Sequence, residues 1–285
     1  MDAITITQLN KQLGQFSLSI PSLNVKKGYI TGFIGENGSG KTTTIKLIMD
    51  MLYPDQGHIT VLGQNSHQPS PQLKQAIGYT GDQMGFVGRL TLKQIKQSVA
   101  PFFPAWDDNR FKSYMQQLGL DETKTYDSLS KGNKKKFDFI MAVSHHPQLL
   151  ILDEPTANLD PVAREQILDL CLQQFEQEDM TIFFSSHITT DLDKIADYIV
   201  FLHQGRVLLE DTKDHLLETH RLVRGKNEQL VPEVKKLMIS AQPNAFGFEG
   251  LTANYPVLFE LLGTEAIYEK PSLEDIFIHY VQRLN

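Results

Sequence analysis

The sequence has a single cysteine and lacks any long uninterrupted apolar run. Cys171 has no partner among 285 residues, so an internal disulfide is excluded, and a small buried hydrophobe is its expected role. No segment approaches the ~20 consecutive apolar residues of a membrane-spanning helix, and residues 1–11 lack the basic-then-apolar pattern of a secretion signal. We therefore expect a reducing, cytoplasmic setting, with any membrane role exercised through a partner.

The chain also lacks an excess of positive charge. Its formal net charge is −7, so it has no global basic field for nucleic acid, and direct nucleic-acid binding is not expected. Hydrophobic residues make up 41% of the sequence, which is enough to bury a full core. The length predicts one large domain plus a smaller one.

The most informative motif lies between a strand-like apolar run, 29–34, and a helix-like stretch, 42–52. It matches G-x-x-x-x-G-K-[ST] and reads Gly35-Glu36-Asn37-Gly38-Ser39-Gly40-Lys41-Thr42. Backbone N–H groups of such a loop converge on phosphate oxygens, and the helix N-terminus adds partial positive charge. Lys41 is expected to contact the β and γ phosphates and Thr42 to bind Mg²⁺. Thr43, the next residue, is also expected to bind the nucleotide. The alternative is a glycine-rich turn that ends in Lys-Thr by chance.

Two further apolar runs end in groups suited to phosphate chemistry. The run 149–152 ends in Asp153 and Glu154, as a buried parallel strand does when it delivers carboxylates to the edge of a sheet. Asp153 is suited to hold Mg²⁺, and Glu154 to polarise an attacking water. The run 181–186 delivers His187 to the same edge, where it can contact the γ-phosphate or orient that water. Capping acids and a structural histidine are the alternative.

Between these motifs, Leu129-Ser130-Lys131-Gly132-Asn133 resembles the Leu-Ser-Gly-Gly-Gln signature of ABC transporter nucleotide-binding subunits. Lys131 replaces the first glycine and Asn133 the glutamine, whereas Ser130 and Gly132 stand where the family contacts the γ-phosphate. Residues 157–161 resemble the family's D-loop, in which Asp160 would contact the partner subunit. The resemblance implies that one chain completes the ATP site of another in a head-to-tail homodimer or heterodimer.

Two positions depart from the family pattern. The family commonly stacks an aromatic residue on adenine; the alignment places Leu13 there, with Phe16 the nearest aromatic. The Q-loop glutamine, which serves Mg²⁺ and water, aligns with Asp82, and Gln83 is one residue away. The sequence leaves both choices open.

The resemblance also implies the architecture. We expect an α/β P-loop NTPase (ABC ATPase) over residues 1–218, with a RecA-like core, an antiparallel β subdomain and a helical subdomain at about 84–148. In the family, the helical subdomain docks onto the membrane subunit. Residues 219–285 are expected to form a small C-terminal α/β accessory domain, whose closing helix begins after Ser272 and resembles that of bacitracin-resistance and peptide-export ATPases.

These expectations converge on a Mg²⁺- and ATP-dependent hydrolase that drives a separate membrane permease from its inner face. The resemblance favours export of a peptide, drug or other amphipathic substrate. The alternative is an ABC-type ATPase that acts without a transporter, in translation or on chromosomes. Such proteins usually carry two cassettes or long coiled-coil insertions, and neither feature occurs in this sequence. A P-loop kinase or GTPase would lack the signature and the D-loop.

Overall fold

The computed structural model describes residues 2–81, 84–178 and 180–284. Its strands are β1 Asp2–Leu13, β2 Phe16–Lys26, β3 Ile30–Ile34, β4 Gln56–Val61, β5 Gln64–Asn65, β6 Ile77–Thr80, β7 Leu149–Asp153, β8 Thr181–Ser186, β9 Tyr198–His203, β10 Arg206–Thr212, β11 Arg221–Gly225, β12 Met238–Asn244, β13 Gly247–Thr252 and β14 Ile267–Glu269. Its α-helices are α1 Lys41–Ile48, α2 Pro71–Gln75, α3 Leu92–Val99, α4 Asp108–Gln117, α5 Lys131–Val143, α6 Pro161–Glu178, α7 Thr189–Ile195, α8 Lys213–Thr219, α9 Pro232–Leu237, α10 Tyr255–Leu262 and α11 Leu273–Gln282.

A ten-stranded sheet forms the larger part of the molecule, in the order β5-β4-β1-β2-β10-β9-β3-β8-β7-β6. Strands β9, β3, β8, β7 and β6 run parallel to one another, whereas β1 pairs antiparallel with both β2 and β4. The parallel part is the predicted RecA-like core, and the antiparallel part is the predicted β subdomain. The carboxyl ends of β3, β7 and β8 therefore meet at one edge, as predicted for the three motifs.

The apolar runs of the parallel strands follow from burial on both faces of the sheet. Every residue of β3, β7 and β8 is buried. Phe183 and Phe184 are neighbours in β8 but join different core clusters, one on each face. Because alternate side chains of a strand point to opposite faces, a strand covered on both sides needs apolar residues throughout.

The helical segment contains α3, α4 and α5, and polar side chains cap the first turns of these helices. Asp107 caps α4 by accepting hydrogen bonds from two backbone N–H groups at the start of that helix. Ser130 caps α5 by accepting from Asn133 N at 3.2 Å. The helix after the glycine-rich loop is shorter than the predicted stretch 42–52: it ends at Ile48, because Asp50 adopts a positive φ of 58°.

A second sheet of four strands, in the order β12-β13-β11-β14, follows the larger one. It has its own core around Val223, Phe248 and Leu258. Helix α11 begins after Ser272, which forms a capping box with Asp275, and it packs back on the larger sheet, where the rings of Phe277 and Phe201 are 5.2 Å apart. The boundary at 218/219 remains a prediction; the second sheet itself begins at Arg221.

Within the residues that the structure describes, no helix combines the length and apolarity that crossing a membrane requires.

Candidate active site

The glycine-rich loop connects β3 to α1 in a conformation that its glycines permit. Gly38 and Gly40 have φ values of 81° and 111°, which side chains with a Cβ rarely adopt. A Cβ on Gly40 would also lie only 2.8 Å from Phe16 Cζ. Backbone hydrogen bonds hold the loop, since Ser39 N donates to Glu36 O at 3.1 Å and Gly205 N donates to Ser39 O at 2.8 Å.

The ammonium of Lys41 lies inside this loop. The side chain is 5% exposed, and Nζ donates to Gly35 O at 2.5 Å and to Glu36 O at 3.1 Å. It also forms an ion pair with Glu154, with 3.0 Å between Nζ and Oε1, outside the angular range of a hydrogen bond. Ser39 Oγ is buried beside it without a hydrogen-bond partner among the described residues. The loop thus offers a cation and a free hydroxyl to an anionic ligand.

The acids that follow β7 are held by the neighbouring strand β8. Asp153 is buried and accepts a 2.7 Å hydrogen bond from Ser185 Oγ. Glu154 N donates to Ser185 at 3.2 Å, and Glu154 Oε2 lies 2.8 Å from His187 Nδ1. The sheet therefore brings Lys41, Asp153, Glu154 and His187 together as the sequence predicts. Ser185 was not predicted; its signal is a hydroxyl at the end of an otherwise apolar strand.

A cavity of about 800 Å³ opens at this edge of the sheet. It is lined by Asn37, Thr42, Lys46, Met51, Tyr79, Met84, Asp153, Glu154, Ala157, Asn158 and His187. An adjoining space of about 370 Å³ is lined by Phe16, Asn37, Gly38, Gly40, Lys41, Thr42, Thr43 and Glu154. Phe16 therefore faces the loop. Leu13, its strand-pair partner across the β1–β2 turn, is 39% exposed and lines neither space.

Three other predicted residues lie outside these spaces. Ser130 and Gly132 belong to the start of α5, and a Cβ on Gly132 would lie 3.5 Å from Ala163 Cβ, so the signature packs beside α6. Asp160 caps α6 by accepting from the N–H groups of residues 162 and 163, each at 3.0 Å. These backbone donors, that of Ala163 first, lower the pKa of Asp160. Asp82 and Gln83 lie outside the described residues.

The oxygen donors at the cavity fit a magnesium ion. Thr42 supplies a hydroxyl and Asp153 a carboxylate to the same lining, and Mg²⁺ prefers hard oxygen ligands of this kind. Ser185 donates to Asp153 Oδ1, and among the described residues no hydrogen bond to Oδ2 competes with such an ion. The arrangement suits in-line attack on a bound phosphate, because the Glu154 carboxylate, which lines both adjoining spaces, lies next to an imidazole and a lysine ammonium.

The fold and this site define a P-loop ATPase. A family model described as "ABC transporter" matches residues 18–157, which contain the glycine-rich loop, the signature and the acidic strand. The bacitracin transport ATP-binding protein BcrA of Bacillus licheniformis is 33% identical over 221 residues, covering 76% of this chain and 72% of that protein. The ABC transporter ATP-binding protein YtrB of Bacillus subtilis (strain 168) is 33% identical over 218 residues, covering 76% and 74%.

A solved structure of an ATP-binding subunit of an ABC transporter superimposes with a TM-score of 0.69 at 25% identity, covering 76% of this chain and 92% of the other. The chain therefore belongs to the ABC transporter family, as an ATP-binding and ATP-hydrolysing subunit. Subunits of this family work with separate permease components.

Proposed function

We propose that this subunit binds Mg²⁺ and ATP at the glycine-rich loop, dimerises on ATP and powers a separate permease that exports a peptide, drug or other amphipathic substrate. The observation that carries the proposal is the position of Glu154, which lines both adjoining spaces and lies 3.0 Å from Lys41 Nζ and 2.8 Å from His187 Nδ1. Backbone N–H groups of residues 35–40 and the N-terminus of α1 cradle the phosphates. Lys41 exchanges Glu154 for phosphate oxygens when nucleotide enters.

Hydrolysis then uses the groups that nucleotide releases. Glu154, freed from Lys41, accepts a proton from the attacking water, and His187 orients the water or contacts the γ-phosphate. Thr42 and Asp153 hold Mg²⁺, whose charge offsets that of the phosphates when it is bound. Ser185 fixes the direction of the Asp153 carboxylate through their 2.7 Å hydrogen bond. Phe16, beside the loop, is the better placed of the two candidates for an adenine contact.

The signature acts on the ATP of a second subunit, either another copy of this chain or a similar ATPase. Ser130 is exposed at the N-terminus of α5 and lines neither space around its own loop, as a residue acting in trans requires. Free N–H groups and the helix dipole at that terminus favour an anion. Gly132 leaves room for close approach, and Asp160 caps α6, the helix that packs beside Gly132. In this arrangement each γ-phosphate is enclosed by two subunits.

The permease brings the subunit to the inner face of the membrane. Large apolar side chains in the helical segment, Val87 and Phe102, are 51% and 74% exposed and are available for that contact. A transport role is supported by the relative named for bacitracin transport. Co-purification from membranes would identify the permease. Recovery with ribosomes instead would contradict the transporter role and favour the alternative, an ABC-type ATPase that works without one.

The base assignment is tested with Glu154→Gln. This variant should bind ATP, lose phosphate release and accumulate as an ATP-bound dimer in size-exclusion chromatography with light scattering. Glu36→Gln is the matched control, because it also removes one carboxylate charge but leaves Glu154 in place. Wild-type hydrolysis in Glu154→Gln would reject Glu154 as the base.

A further inference from the structure

Lys135 on α5 joins the signature helix to the ends of two neighbouring strands. Its Nζ lies 3.3 Å from Glu154 O, just after β7, and 3.4 Å from Gly81 O, just after β6. Strands β6 and β7 are parallel neighbours, so their carboxyl ends lie side by side. A single ammonium group therefore donates to backbone carbonyl groups at the carboxyl ends of two adjacent strands.

Glu154 is a residue whose backbone needs such support. Its φ of 51° lies in the left-handed region, which costs free energy for a residue with a Cβ. On one side, Glu154 N donates to Ser185; on the other, Glu154 O accepts from Lys135. These two contacts fix the peptide groups around Glu154 and hence the direction in which its carboxylate leaves the backbone.

The surroundings of Lys135 favour its charge at this place. Asp138, one turn further along α5, is 3% exposed, and the ionised form of its carboxyl group attracts Lys135. Tyr126 donates to the two carboxylate oxygens of Asp138, at 2.9 and 3.1 Å, and so holds that acid in place. Lys134 differs, because its Nζ lies over the Tyr126 ring, 5.0 Å from the centroid. Among the described residues, it donates to neither of the two carbonyl groups that Lys135 contacts.

We propose that Lys135 is a positioning residue for ATP hydrolysis: it holds the Glu154 backbone so that the carboxylate faces the nucleotide cavity, and it ties that orientation to α5. The inference rests on the proposed role of Glu154 as the base. Because α5 begins at the signature, the same ammonium links engagement of the signature to the alignment of the base. Lys135 itself contacts neither phosphate nor water in this role.

The test compares three variants of the full chain. Lys135→Met keeps the aliphatic stem but removes the donors, Lys135→Arg keeps the charge and donors, and Lys134→Met is the matched control. We expect Lys135→Met to lower kcat about 10- to 100-fold, as small misplacements of a catalytic group do, with KM and ADP affinity unchanged. Lys135→Arg should restore most of kcat, and Lys134→Met should behave as wild type. Lys135→Gln replaces Lys135→Met if the methionine variant does not fold.

A double variant separates positioning from general structural damage. In a Glu154→Gln background, Lys135→Met should not slow the residual hydrolysis of bound ATP any further in single-turnover measurements, since both changes act through the same group. An equal further slowing, or a wild-type kcat in Lys135→Met, would overturn the inference, as would a Lys135→Arg variant as slow as Lys135→Met. If Glu154→Gln is inactive and Lys135→Met is fully active, only the inference fails. If Glu154→Gln hydrolyses ATP normally, the proposed function fails instead.

Discussion

The ion pair between Lys41 and Glu154 predicts that nucleotide must compete with a side chain of the protein. In the structure, Glu154 occupies the ammonium that is expected to bind phosphate, with 3.0 Å between the charged atoms. Replacing Glu154 by Gln removes this competition and also removes a carboxylate that faces anionic phosphates. We therefore expect Glu154→Gln to bind ADP more tightly than wild type, although it abolishes turnover.

The magnitude follows from the geometry of the pair. Two unit charges 3.0 Å apart attract by about 5.5 kcal/mol at an effective dielectric constant of about 20. Most of this is regained when Lys41 exchanges the carboxylate for phosphate oxygens, and His187, at 2.8 Å, still stabilises the freed carboxylate. We expect a net gain of about 1.4 kcal/mol, which corresponds to about a tenfold lower Kd.

The assay is titration calorimetry with ADP. ADP lacks the γ-phosphate that the signature is proposed to contact, so dimerisation and hydrolysis do not contribute to the measured affinity. Glu36→Gln is the control, because it removes one negative charge from the loop, and its carboxylate lies 3.5 Å from His203 rather than at Lys41. An unchanged Kd in Glu154→Gln, or an equal gain in both variants, would refute the competition.

Two further predictions concern stability. Gly40→Ala should lower the thermal midpoint more than Gly38→Ala: both variants bear a left-handed cost of about 1–2 kcal/mol, but only Gly40→Ala brings a Cβ within 2.8 Å of Phe16 Cζ. Equal midpoints would contradict that contact. Burial raises the pKa of Asp138 from 3.8 to about 7, so between these values the folded protein binds more protons than the unfolded chain, and its unfolding free energy falls as pH rises through this range. Asp138→Asn should flatten this slope in urea unfolding, whereas Asp127→Asn, which alters an exposed acid, should leave it unchanged.

Much of the candidate site could be predicted because its signals are local. The loop 35–42 is a contiguous motif, and Glu154 and His187 each follow a short apolar run of the kind that forms a buried parallel strand. Parallel strands end at the same edge, so the sequence alone predicts that these groups meet. Capping residues such as Ser130 and Ser272 are equally local, because each bonds a backbone group three residues away.

The sequence by itself thus predicted the three parallel strands that carry the site, the glycine-rich loop and the groups that each strand delivers. Only the tertiary structure decided which distant residues meet. The hydrogen bond from Ser185 to Asp153 depends on the register of β7 against β8, and the position of Phe16 over the loop depends on how β2 packs. The reach of Lys135 to Glu154 depends on where α5 lies against the sheet. Such contacts arise from strand order and packing, which no short stretch of sequence encodes.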